Sequence, residues 1–280
     1  MRKLIKVILA QPSSDGDGVK INRIAGQNLN AIMDPFLLLD EIKSDEASDY
    51  LGGFPEHPHR GFETITYMKV GRMRHRDSLG NEGVIESGDL QWMTAGRGVL
   101  HSEMPEQSQG LLHGFQIWLN LPAAEKMKPA AYREILSDTI PEQAFEHGGK
   151  MQVIAGEVAY KGQMTTGALT MLTPAPMSTE PLFLDIELHS NESIELKFKP
   201  EQSPLVYVYQ GATTELETQQ MGLYSEGETL KLSTSNSNAS LLILSGKALH
   251  EPIVQYGPFV MNTRQQIEQA FDDYRNNKLL

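Results

Sequence analysis

Runs of β-branched and aromatic residues, each cut short by a glycine-bearing turn, limit this chain more than any other feature. Glu63-Thr64-Ile65-Thr66-Tyr67-Met68-Lys69-Val70 ends at Gly71. Met73-Arg74-His75-Arg76-Asp77 gives way to the turn Ser78-Leu79-Gly80-Asn81-Glu82-Gly83, and Val84-Ile85-Glu86 stops at Ser87-Gly88-Asp89. Phe115-Gln116-Ile117-Trp118-Leu119 closes the region. Short strands with turn signals every ~8–12 residues predict an all-β sandwich or barrel. The segment Met1 to Ala10 reads as a first strand, because Lys6 interrupts its apolar run and no small-x-small cleavage pattern follows.

The pattern repeats. Tyr67-Met68-Lys69-Val70-Gly71 returns as Tyr207-Val208-Tyr209-Gln210-Gly211, 140 residues on, and Gly88 finds a counterpart in Gly227, 139 residues on. Two matches at nearly the same offset predict a duplicated β-domain. The expected division is an N-terminal metal-binding barrel over 1–135, a connector over 136–150, a second barrel over 151–250 and a C-terminal segment over 251–280. Short helical turns are expected around Ala123 to Met127. In the last segment Ile267, Ala270, Phe271 and Tyr274 make one helical stripe, and Thr263 with Gln266 matches a capping box.

Two pairs of residues carry the chemistry. His57-Pro58-His59 and His101-Ser102-Glu103 each place two metal-type ligands at i and i+2, which share a face on an extended strand. Two such strands side by side aim three imidazoles and a carboxylate at one point. Such a set suits one divalent transition metal with positions left open for substrate or oxygen. The chain has no cysteine, so any metal sits on nitrogen and oxygen. The plainer alternative is a pair of surface histidines near turns. Glu63 is either a fifth ligand or an acceptor that fixes an imidazole tautomer, since Gly61 allows a bulge between it and His59. His113 shares parity with Phe115, Ile117 and Leu119 and is expected inside the barrel, either as a hydrogen-bonded core histidine or against a substrate. His75, beside a turn, is expected to be solvated. Offsets of 140 and 139 carry the four ligand positions to Lys197, Lys199, Ser240 and Leu242, a poor ligand set, so the second barrel is expected to lack the metal.

The residues just named resemble the pirin family of the cupin superfamily. The resemblance rests on Asp34-Pro35-Phe36-Leu37-Leu38-Leu39-Asp40-Glu41, on His57-Pro58-His59-Arg60-Gly61-Phe62-Glu63-Thr64, on Gly88 to Gly98 and on His101-Ser102-Glu103-Met104-Pro105. It is loose past Gly156 and firm again at Gly257-Pro258-Phe259-Val260-Met261-Asn262-Thr263. It implies two cupin-type jelly-roll barrels packed together, plus a short C-terminal helix. It also implies His57, His59, His101 and Glu103 as ligands, of iron first, with Ni, Cu, Mn, Co and Zn open to the same donor set.

Function in that family is divided, and two expectations follow from the resemblance. The first is a flavonol-opening, O2-dependent dioxygenase of the quercetin 2,3-dioxygenase type, with Glu103 as general base and His113, Trp92 and Met93 orienting the substrate. The second is an iron-dependent, redox-responsive regulatory module that binds a protein partner. The net charge of −12 argues against direct nucleic-acid binding. No apolar run is long enough for a membrane helix, and the expected location is the cytoplasm.

Overall fold

A computed structural model describes residues 1–26, 29–173 and 175–280. The fold is almost all β and divides into two compact units, neither of which is one continuous stretch of chain. One comprises Gln11–Ser137 with Leu249–Leu280; the other comprises Met1–Ala10 with Asp138–Ala248.

In the first unit, a seven-stranded antiparallel sheet runs in the order Ala131–Ile135, Leu90–Thr94, Phe62–Val70, Leu112–Asn120, Phe36–Ser44, Val19–Ala25, Gln11–Asp15. A four-stranded sheet runs Phe54–His59, Val99–Pro105, Met73–Asp77, Glu82–Ile85. The central strands are buried on both faces, which explains why their sequences do not alternate cleanly. In Leu112–Asn120, for example, Phe115, Ile117 and Leu119 share one face, while Gln116 and Trp118 line a cavity on the other.

The second unit repeats the plan with fewer strands. Its large sheet runs Leu4–Leu9, Gln220–Tyr224, Leu205–Gly211, Ala239–Ser245, Leu182–Leu188, Lys150–Ala155, Glu142–Ala144. Ser193–Lys197 pairs with Thr229–Ser233 in a separate two-stranded sheet.

Three expectations about boundaries change. The first strand, Leu4–Leu9, pairs with Gln220–Tyr224 instead of joining the N-terminal barrel, and Leu4 packs on the second unit's core. The stretch 136–150 is no mere connector, since Glu142–Ala144 pairs with Lys150–Ala155. The C-terminal segment belongs to the first unit. The helical turn at Ala123–Glu125 falls where it was expected.

The internal repeat is also reset. Strand order makes Phe62–Val70 the counterpart of Leu205–Gly211, as Tyr67 and Tyr207 suggest. The second unit, however, goes straight from there to Gln220–Tyr224, without strands like Met73–Asp77 and Glu82–Ile85. Gly227 therefore answers to the turn at Gly96, not to Gly88. The ligand strands map onto Ser193–Lys197 and Thr229–Ser233, where Ile194, Leu196, Leu230 and Leu232 enter the apolar core.

The C-terminal helix is Arg264–Arg275. Thr263 and Gln266 form the expected capping box, and Ile267 and Ala270 are buried against Phe259, Met261 and Leu279. No helix among the described residues is long and apolar enough to cross a membrane.

Candidate metal centre

Antiparallel pairing brings the two ligand strands together. His101 lies opposite His57, and Val99 opposite His59. The three imidazole centroids are 4.4–4.9 Å apart, and one ring nitrogen from each falls in a group whose members all lie within 4.8 Å of one another. The predicted convergence of His57, His59 and His101 is thus present in the fold.

Hydrogen bonds fix where the protons of this cluster lie. His57 Nδ1 donates to the Pro55 carbonyl at 2.8 Å, and His59 Nδ1 donates to the Pro258 carbonyl at 3.3 Å. A carbonyl only accepts, so each Nδ1 carries the proton and each Nε2 presents a lone pair. Those two Nε2 atoms face each other at 3.0 Å. Two lone pairs at that distance repel unless a cation or a proton lies between them. His101 is buried, and neither of its ring nitrogens has a hydrogen-bond partner among the described residues. A buried orphan of this kind costs ~1–3 kcal/mol. Burial also pushes the pKa of His57 down, and those of His59 and His101 well down, so the rings are neutral and able to coordinate. The donor set fits a divalent transition metal.

Glu103 follows His101 on the same strand. The register shifts between the two, so that Glu103 lies opposite Phe54 on one neighbour and His75 on the other. Its carboxyl is buried and accepts from the Thr66 hydroxyl. Among the described residues it lies outside the group within 4.8 Å. Burial raises the Glu103 pKa to about 7, against the opposing pull of Thr66. Thr66 Oγ1 is also 2.8 Å from Gln116 Oε1. One hydroxyl has a single proton to donate, so Thr66 serves Glu103 while that carboxylate is ionised and Gln116 once it is protonated.

The cluster opens on a cavity of about 600 Å³. His57, His59, Glu103 and Gln116 share its lining with the apolar side chains of Ile21, Leu38, Ile42, Phe54 and Trp118. Arg23 grips Asp40 on the same lining, with contacts of 2.9 and 2.6 Å, and reaches Asp15 at 2.8 Å. Burial still raises Asp40 to about 6 despite Arg23.

Three residues expected at the site sit on the opposite face of the large sheet. Glu63 accepts from Trp92 Nε1 at 3.0 Å and from Thr94 Oγ1 at 2.6 Å, and it is a partner of neither kind to the imidazoles. Trp92 shares that face, opposite Ile65. His113 bonds Glu41 at 2.8 Å. The shared parity of His113 and Phe115 was real, but their face is the one turned away from the cavity. Met93 lies on the cavity side, opposite Thr64, and packs with Ala95 and Val99. His75 is buried beside the Tyr132 hydroxyl and is not solvated. Sequence reasoning passed over Thr66, Gln116, Trp118 and Pro258. Two of these had a signal: a Gln and a Trp alternating with three apolar residues mark a strand buried on both faces.

The sequence model of the Pirin family matches residues 18–119, and that of the Pirin C-terminal cupin domain matches residues 183–280. A Pseudomonas aeruginosa protein named putative quercetin 2,3-dioxygenase is 44% identical over 285 residues, covering 99% of this chain and 98% of that protein. Human pirin is 36% identical, covering 99% of this chain and 93% of its own. The crystal structure of a quercetin 2,3-dioxygenase from Acinetobacter baumannii superposes with a TM-score of 0.88 at 34% identity, covering 100% of this chain and 98% of that one.

Proposed function

Because the chain belongs to the pirin family, we propose that it is a mononuclear metal-dependent dioxygenase that opens flavonol-type rings with O2. His57, His59 and His101 hold one divalent transition metal, iron first, and Glu103 serves as fourth ligand and as proton acceptor. One arrangement carries this reading: two Nε2 lone pairs face each other at 3.0 Å beside a buried His101 with no partner among the described residues, next to a largely apolar cavity of about 600 Å³. The names borne by the Pseudomonas and Acinetobacter relatives support the substrate class.

Once bound, the ion supplies Lewis-acid stabilisation of an ionised substrate hydroxyl and an open position for chemistry with oxygen. The chain's own residues do the rest. Leu38, Ile42, Phe54 and Trp118 provide apolar walls that exclude water from a flat aromatic. Glu103 takes the proton of the flavonol 3-hydroxyl, and Thr66 and Gln116 hold the carboxyl in place. Overall, both atoms of O2 enter the products, carbon monoxide leaves and an ester remains. The test is aerobic turnover of quercetin by metal-replete protein, with elemental analysis of the same sample. His101→Ala should lose both metal and turnover; equal turnover by that variant would overturn the proposal.

A further inference from the structure

The strand that carries His57 and His59 ends in a buried knot tied to the other end of the chain. Arg60 is buried. Its Nη1 donates to Asp273 of the C-terminal helix at 2.7 Å, its Nη2 donates to the Leu279 carbonyl at 3.3 Å, and its Nε donates to the Arg97 carbonyl. Its backbone forms a parallel bridge with Phe259, through the Val260 N–H donating to the Arg60 carbonyl at 3.0 Å. Next to it, Lys126 Nζ joins the Gly61 and Val260 carbonyls at 2.7 and 3.1 Å. The backbones approach so closely that a Cβ on Gly61 would lie 2.0 Å from the Val260 oxygen.

This knot fixes where the chain just before Phe259 lies, and the residue there is Pro258, whose carbonyl accepts from His59 Nδ1. We infer that the Arg60–Asp273 ion pair positions the Pro258 carbonyl and so sets the tautomer and aim of His59, which makes the C-terminal segment part of the metal centre. Arg60 and Asp273 are positioning residues: neither touches substrate, and both act through a ligand's outer hydrogen bond. Partners of this kind change metal affinity because they orient the ring and hold its lone pair toward the ion. The guanidinium also keeps the Asp273 carboxyl below its usual range, so the pair is charged at neutral pH.

The inference rests on the metal reading of the three histidines, and the experiment separates the two. Ni2+ affinity is measured by chelator competition on wild type, Asp273→Asn, Arg60→Lys, Asp272→Asn and His101→Ala. Histidine tautomers are read by 15N NMR on the metal-free proteins. Asp272 is a matched control, since it sits on the same helix and contacts Arg275 at the surface. Asp273→Asn and Arg60→Lys should weaken Ni2+ binding by about 10- to 100-fold and move His59 away from its Nδ1–H signature, while Asp272→Asn does neither. A lower melting temperature for Asp273→Asn with unchanged affinity and an unchanged His59 tautomer would overturn the inference and leave the ion pair a structural brace. Failure of wild type to bind Ni2+ any better than His101→Ala would instead sink the metal reading, and the tautomer measurement would still judge the positioning role.

Discussion

His101 shows what an unpartnered imidazole costs in a buried place. Both ring nitrogens are buried without a partner among the described residues, a cost that falls on the metal-free protein. His101→Leu should therefore raise the stability of the metal-free protein by ~1–3 kcal/mol while abolishing metal binding, as read by urea midpoints and elemental analysis. Acid should act through the same residues. The trio's pKa values are depressed in the fold, so between the unfolded histidine value of ~6.5 and the lower folded values the unfolded chain takes up protons that the native state refuses. Stability must fall as pH drops through that window, by up to ~1.4 kcal/mol per pH unit for each histidine. Glu103 opposes this. Its folded pKa is raised to about 7, so its protonated form favours the fold at low pH and that benefit is lost as pH rises. Denaturation of the metal-free protein from pH 8 to 5 should show a net loss toward acid, since three groups outweigh one. In Glu103→Gln, which lacks the opposing group, the loss should be steeper.

Elements, more than single residues, decided what could be read from sequence alone. The strands Phe62–Val70 and Met73–Asp77 and the capped helix Arg264–Arg275 were legible because period and turn chemistry act locally. The meeting of His57, His59 and His101 was legible because i and i+2 share a face and the two strands pair. What failed was the choice of face. His113 and Glu63 lie on strands buried on both sides, so parity ties them to their neighbours without saying which side holds the cavity. The Pro258 carbonyl could not have been found, because a backbone acceptor 199 residues from His59 leaves no mark in either segment. At this scale two substitutions test the account. Thr263→Ala removes the capping box and should cost ~1 kcal/mol, with metal affinity retained. Gly61→Ala should cost more, because the backbone there has φ +93° and a methyl would collide with the Val260 oxygen. Thermal melts with and without Ni2+ would rank the two.

Across the whole chain, the two ends trade places. Met1–Ala10 completes the sheet of the unit formed by Asp138–Ala248, and Leu249–Leu280 completes the unit formed by Gln11–Ser137. Removing Met1–Ala10 should expose the edge of Gln220–Tyr224 and lower the melting temperature, while Ni2+ stoichiometry at the three histidines stays at the wild-type value. The trade also orders the appearance of the residues proposed to hold an ion. Ribosomes add ~5–20 residues each second, and His57, His59 and His101 all emerge long before Pro258 and Asp273 have been made. A nascent chain therefore displays three imidazoles without the carbonyl and ion pair that aim one of them. On the metal reading proposed above, those three imidazoles grip an ion at full strength only once Leu249–Leu280 has been made and has joined the unit formed by Gln11–Ser137.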